Sequence, residues 1–371
     1  MIGAGPAGST AGRELALRGH TVLLMDRACF PRDKPCGGLI SYKALRELPD
    51  DVAGQPIFRI SIRGNGYSAS KSYPALLGVT VERAHFDRWL VDRAIDAGCT
   101  FMEGQEVTGI FENDGILRVI SASGTLSARV AICATGAGAL PIRGKRHVPW
   151  SPLSLGLGVV AYSPAPKSLD GVEFYLTGGV AGLGWVFPGR GRAHAGVGCS
   201  VLTRGTLTRE LAELAEQAGL MICGATVWPM PGGFPGRRPA CGRVLLVGDA
   251  GGFVDPFTGE GIYGAVRSGK RAAHYLDVFL RGGCSDPVRG YVQWARSEFG
   301  RVFALSWLTA VLCWRKRWSL SALVLEDDSI IDGFARLMRG DAGYLREWED
   351  FAACLLPRLV KARIMALFPR R

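Results

Sequence analysis

The sequence predicts an α/β fold that carries an inserted, mainly antiparallel β-sheet domain and ends in a helical C-terminal region. Three observations carry the prediction. A glycine-punctuated turn at the start of the chain, MIGAGPAG, runs into helical sequence and is answered far downstream by RVLLVGDAGG, 243–252. Between them, from about residue 150 to 240, short apolar segments rich in β-branched and aromatic residues follow one another. From residue 286 onward the chain reads all-helical and rich in Trp. With 371 residues it can hold two or three domains and bury a substantial core.

Gly3, Gly5 and Gly8 form G-x-G-x-x-G, followed by a helical stretch from about Ala7 to Arg18 that Gly19 is placed to end. TVLLMD, 21–26, has strand character and closes on Asp26. IFRISIRGNGYSA, 57–69, alternates and turns at Gly64-Asn65-Gly66, a hairpin signal. Residues 83–97 read as a helix, and strands follow around Val107 and at RVAICA, 129–134. LGLGVVAY, VEFYLTG, GLGWVFP and HAGVGCSV are the strands of the middle region, with one helix near 206–218. That region and the 57–69 hairpin are expected to build a second sheet inserted into the first domain. RVLLVGDAGG then returns to the first domain, and a helix follows from about Gly261. The boundaries drawn are 1–50, 83–145 and 240–285 for a nucleotide-binding domain, 51–82 and 146–239 for the inserted sheet domain, and 286–371 for the helical domain.

Hydrophobic residues make up 48% of the chain and the formal net charge is +11, with a mean hydropathy of +0.15. This oily, basic mixture suits an anionic membrane surface, or a greasy substrate with an acidic head. No basic run interleaved with aromatics matches a nucleic-acid reading module, so no nucleic acid is expected. Ten cysteines without a C-x-x-C pair or a His/Cys cluster argue against zinc and against a disulfide framework. No metal is expected, and the expected setting is the reducing cytosol. No signal-peptide pattern opens the chain, and no uncharged run reaches the roughly 20 residues that cross a bilayer. The segment 303–325 sets Trp307, Trp314 and Trp318 near the basic triplet Arg315-Lys316-Arg317. Such a pattern suits peripheral membrane contact and equally a helical hairpin packed over the substrate domain.

The glycine turn leads into a helix whose N-terminus can hold a pyrophosphate through free N–H groups and about half a unit of positive dipole charge. Asp26 closes the next strand 18 residues after Gly8, where a carboxylate accepts hydrogen bonds from a ribose. These features alone leave NAD and FAD open. Gly248-Asp249 ends a strong apolar strand, and PFTGEGI, 256–262, opens a helix. The two motifs together resemble the FAD-binding Rossmann-type fold of the glutathione-reductase-like flavoproteins, in the branch that includes p-hydroxybenzoate hydroxylase. The resemblance implies FAD, with Asp249 on its ribityl chain. It also implies that the helix opened by Gly259, Gly261 and Ile262 aims its positive end at the flavin pyrimidine edge, which favours the anionic reduced flavin. Only Met1 and Ile2 precede Gly3, whereas a first strand of this fold has about five or six residues there. The expectation is that this start is internal to a longer reading frame, or that the sheet is built with a stub.

FPRDKPCGGLIS, 30–41, resembles the P-x-x-K-x-C-G-G signature of the geranylgeranyl reductase family, and four further segments agree. ERAHFDRWL, 82–90, is similar to the family's R-x-x-F-D-x-x-L, whose arginine, here Arg83, contacts FAD. CATGAG, 133–138, matches its A-T-G turn and brings Ala134 and Gly136 to the cofactor. GWVFPGRGRAHAGVG, 184–198, resembles its Y-x-W-x-F-P…G-x-G substrate wall, with Leu183 where the motif has tyrosine. GDAGGFVDPFTGEGI, 248–262, matches its FAD segment. The resemblance covers about 1–285. It implies an FAD-dependent oxidoreductase that saturates C=C bonds of an isoprenoid chain, geranylgeranyl or polyprenyl, carried by a lipid or a diphosphate. It also implies that Cys36 lies on the substrate side of the flavin, where it could shape the alkene pocket or donate a proton. Gly37 and Gly38 let the backbone there pass close to something flat. Trp185 and Phe187 would line an apolar tunnel. No separate NADPH fingerprint marks the electron donor, which is left between NADPH and ferredoxin.

A flavin-dependent monooxygenase or halogenase on the same fold is the alternative. Hydroxylases of this branch carry Asp-Gly near the position of Thr135-Gly136, and halogenases carry W-x-W-x-I-P where this chain reads LGWVFP, 183–188. An electron carrier with an iron–sulfur cluster would need closely spaced cysteines, and Cys284, Cys313 and Cys354 are dispersed.

Overall fold

A computed structural model describes the chain apart from residues 65–66, 139, 143–144, 148–154, 167, 177–181, 200–203, 234–237, 285, 315–327 and 368–371. Its first helix, α1 (Pro6–Ala16), begins on Pro6, whose fixed φ and missing N–H suit a first helical turn. Leu23–Met25 runs parallel to Thr100–Met102, and Ala131–Cys133 runs parallel to Val244–Leu246. Ile2 bridges the two pairs, parallel to Met25 on one side and to Cys133 on the other. Ile2 therefore stands between the two strand pairs of a parallel sheet. Leu24, Ile132, Leu245 and Leu246 have no exposed surface, as a sheet covered on both faces requires. The short α2 (Tyr42–Leu45) follows the CGG turn, and α3 (Arg83–Asp96) packs on α1.

The inserted sheet has seven strands, in the spatial order 223–231, 155–164, 192–199, 182–188, 172–176, 59–64 and 67–72. Its pairings are antiparallel except for Val172–Leu176 against Arg59–Gly64. The hairpin departs in detail from the sequence reading. Its strands are Arg59–Gly64 and Tyr67–Ser72, while Gln55–Ile57 joins a separate three-stranded sheet with Leu39–Ser41 and Gly78–Thr80. The chain changes sheets at Phe58, because Leu77 N–H donates to Ile57 O (2.9 Å) and Tyr73 N–H to Phe58 O (2.7 Å).

Helix α4 (Arg204–Gln217) covers one face of the seven-stranded sheet, setting Leu207, Leu211 and Leu214 against Val159, Ala161 and Val197. Strand alternation turns Val160, Leu183, Trp185 and Phe187 to the other face, which looks onto the nucleotide-binding part. A single turn, α5 (Gly248–Gly251), follows Val244–Leu246. Helix α6 (Ile262–Leu280) crosses α1 so closely that a Cβ on Gly269 would lie 2.6 Å from Ala7 O. Helices α7 (Pro287–Trp314), α8 (Ser329–Arg339) and α9 (Tyr344–Leu367) complete the chain. They close on an aromatic cluster in which Phe334–Phe351 and Trp348–Phe351 meet edge to face at 5.3 and 5.6 Å. Among the described residues no helix is long and apolar enough to cross a membrane. The basic triplet 315–317 and Trp318, on which the peripheral-membrane reading leaned, lie outside the described residues.

Candidate active site

The site is built around the turn at Cys36. Cys36 Sγ accepts the Gly38 N–H at 3.3 Å, and Cys36 lies close enough to the Arg83 guanidinium to help raise its pKa. Arg83 is buried and grips Asp87 with Nε and Nη2 at 2.9 and 2.8 Å, and Arg32 reaches the same carboxylate at 3.0 Å. Burial alone would lower the Arg83 pKa, but Asp87 and the Cys36 sulfur outweigh it and hold it above its ordinary value. Gly38 takes φ +75, and a Cβ there would lie 2.3 Å from Val81 O. The flat objects under Gly37 are side chains: an added Cβ would lie 2.6 Å from Phe187 Cδ2 and 2.9 Å from Trp185 Nε1. Gly37→Ala is therefore expected to push both rings and cost about 1–3 kcal/mol by overpacking. Urea unfolding, together with a shift in tryptophan emission, checks it.

Cys36, Gly37, Trp185 and Phe187 line a cavity of about 220 Å³. Arg83, Asp249, Gly259, Gly261 and Ile262 come to the same cavity from three other segments. The N-terminus of α6 has no side-chain cap, so its first N–H groups are open toward the cavity edge at Ile262. Trp185 Nε1 and Trp228 Nε1 are buried with no hydrogen-bond partner among the described residues, and both indoles line the cavity. Lys34 Nζ stands 3.6 Å from Asp249 Oδ2 and 5.8 Å from the centre of the Trp228 ring. It lines the cavity. Leu183, in place of the motif's tyrosine, is buried and adds another apolar wall.

The remaining sequence-predicted residues gather at the start of α1, away from that cavity. A Cβ on Gly3 (φ +98) would lie 2.2 Å from Ala134 O, and one on Gly8 would lie 1.9 Å from Gly3 O. Gly5 is different, since its nearest neighbour would be Arg32 Nη2 at 3.5 Å. Asp26 Oδ2 accepts the Ala4 N–H at 2.7 Å and Oδ1 the Ala28 N–H at 2.9 Å, so its carboxylate braces the glycine turn. Gly136 takes φ +66 just after Ala134. Pro6 belongs to this turn and also lines the cavity, linking the two halves of the site. Among the described residues no group of His, Cys, Asp or Glu could hold a metal ion.

Several cavity groups escaped the sequence reading. Asp255 is buried and accepts from Phe257 N, Thr258 N, Ser306 Oγ, Tyr344 OH and Trp348 Nε1 at 2.6–3.0 Å. It ties α7 and α9 to the loop before α6, and burial and this carboxylate push the Tyr344 phenol well above its ordinary pKa. Ser41 and Lys43 both meet Glu260. Behind the CGG turn, His194 Nε2 lies 2.8 Å from Glu82 Oε1, with Arg192 on the other carboxylate oxygen. Burial opposes ionisation of Glu82, but Arg192 and His194 prevail and hold its carboxyl below the ordinary value. Asp255 and Glu260 were inside a quoted motif; Lys43 and His194 carried no pattern that marks them.

No family model matches the chain. Among curated proteins, the menaquinone reductase of Mycobacterium tuberculosis is 29% identical, covering 84% of this chain and 83% of its own. The geranylgeranyl diphosphate reductase of Rhodobacter capsulatus is 30% identical over 328 residues, 82% of this chain and 81% of its own. A digeranylgeranylglycerophospholipid reductase of Methanopyrus kandleri is 32% identical, covering 73% and 78%. The chain belongs to the geranylgeranyl reductase family. A geranylgeranyl bacteriochlorophyll reductase-like protein of Thermoplasma acidophilum superimposes with TM-score 0.78 at 20% identity, over 99% of this chain and 98% of that one. A flavin-dependent brominase shares the fold at TM-score 0.71 and 18% identity, over 98% of each chain. The family's fold is thus also a halogenase fold.

Proposed function

We propose that this chain is an FAD-dependent reductase that saturates C=C bonds of an isoprenoid chain, geranylgeranyl or polyprenyl. The observation that carries the reading is the meeting of the Cys36 turn, the Trp185–Phe187 wall and the uncapped start of α6 in one cavity. FAD, when bound and reduced, supplies hydride. Gly3, Gly5 and Gly8 would accept its pyrophosphate at the head of α1, and Asp26, Arg83, Ala134, Gly136 and Asp249 would hold the rest of it. Indole N–H groups with no partner among the described residues, and a glycine turn that leaves room over Gly5, are what such a ligand needs. Trp185, Phe187 and Leu183 would pack the chain and exclude water, each CH₂ withdrawn contributing about 0.8 kcal/mol. The domain boundaries drawn from the sequence belong to the same proposal.

Dithionite-reduced protein under anaerobic conditions is expected to add two hydrogens per double bond to a polyprenyl substrate, read by mass spectrometry. A brominated or hydroxylated product that needs oxygen would favour the alternative chemistry of the fold. Cys36→Ala is expected to keep its FAD, since the thiol is on the substrate side, while losing or redirecting alkene reduction. Unchanged turnover and product would remove Cys36 from the proposal.

A further inference from the structure

The wall between the CGG turn and the start of α6 contains an ion pair that an oil-lined cavity has no packing need for. Lys43 Nζ lies 2.6 Å from Glu260 Oε2 and donates to Leu337 O at 2.6 Å, with the Tyr344 ring centre 4.6 Å away. Ser41 Oγ donates to Glu260 Oε1. Lys43 and Ser41 are 5% and 4% exposed, the Glu260 side chain is 18% exposed, and all three line the cavity. Withdrawing two charges from water costs several kcal/mol per ion, and apolar residues of like volume often serve stability as well. Stability alone does not account for the pair.

The other ionisable groups of the cavity are committed. Asp255 is saturated by its five donors, the Tyr344 hydroxyl among them, Asp249 is given to the cofactor in the reading above and faces Lys34 only at 3.6 Å, and Arg83 keeps its proton at any working pH. Cys36 Sγ accepts the Gly38 N–H, and Cys36 lies beside the Arg83 guanidinium. In the Lys43–Glu260 pair a proton can pass between the partners inside the cavity, from ammonium to carboxylate.

We propose that Glu260, supplied by Lys43, is the acid that protonates the alkene carbon opposite the one receiving hydride. This rests on the reductase reading above and deepens it. Hydride from the reduced flavin brings two electrons and forms one C–H bond. The alkene π pair takes the proton from the Glu260 carboxyl and forms the second, as general acid catalysis requires. The flavin is left oxidised, Glu260 a carboxylate and Lys43 a neutral amine, which one proton from solvent restores.

The test is single-turnover oxidation of dithionite-reduced, FAD-loaded protein by a polyprenyl substrate in D₂O, followed by flavin absorbance, with the product read by NMR. The wild type is expected to place one deuterium, on one face, at the carbon that takes the proton, besides the one that the exchangeable flavin N5–H delivers to the other carbon. Glu260→Gln should retain FAD and its reduction by dithionite but slow flavin reoxidation by at least about 100-fold. Its residual product should carry deuterium on both faces, and Glu260→Asp should restore single-face addition. In the flavin-free protein, quenching of tryptophan emission should give the same substrate Kd for wild type and Glu260→Gln. A Glu260→Gln protein that turns over at the wild-type rate, or whose loss lies in Kd, overturns the inference alone. A wild type whose reduced flavin no polyprenyl substrate oxidises overturns the reductase reading and the inference with it.

Discussion

Gly5→Ala is expected to leave the flavin-free protein as stable as the parent while cutting its FAD affinity by roughly 100-fold, about 2.7 kcal/mol. The added methyl meets only Arg32 Nη2 at 3.5 Å, so nothing in the protein must move. It would occupy the approach that a pyrophosphate needs to reach the backbone. Gly8→Ala makes the contrast, because its Cβ would lie 1.9 Å from Gly3 O, a backbone atom that cannot step aside alone. That variant should lose both FAD affinity and stability as α1 is driven off the glycine turn. Calorimetric titration of FAD into flavin-free protein, with urea unfolding alongside, separates the two. Equal FAD affinity in Gly5→Ala and the parent would mean that the turn does not hold the cofactor.

Asp255→Ala is expected to destabilise the protein by about 3–5 kcal/mol. The carboxylate serves two backbone and three side-chain donors in a place from which water is excluded, and each donor left without an acceptor bears its own desolvation penalty. Asp255→Asn should cost less, because its carbonyl oxygen can keep the Phe257, Thr258 and Ser306 bonds. The loss has a functional side, since Tyr344 and Trp348 line the cavity and are held by the other carboxylate oxygen. Thermal unfolding of the two variants checks the order, and a stability loss in Ala no greater than in Asn would contradict it.

Much of the candidate site was legible because its signals are local. G-x-G-x-x-G, the strand ending at Asp26 and the CGG turn each specify a backbone path within a few residues, and the folded chain follows it there. The family resemblance implied that Trp185 and Phe187 line an apolar tunnel, and both line the cavity. The 57–69 hairpin was misread at its first strand because alternation continues through Ile57 and Phe58, while the change of sheets there is decided by hydrogen bonds to Leu77 and Tyr73. His194, which no sequence motif marks, is 2% exposed against Glu82. A lone His in a strand gives no sign of the carboxylate it will meet from another strand's end.

By itself the sequence determined the α/β class and the glycine turn, since each follows from residue types at short spacing, while the apolar wall and the thiol-bearing turn were legible through a family resemblance. Only the tertiary structure decided which charges share the cavity. Lys43 meets Glu260 from 217 positions away, and Asp255 draws its partners from α7 and α9. Such pairings follow from how sheets and helices pack in three dimensions, and the energy of a buried charge depends on that surrounding and not on its neighbours along the chain.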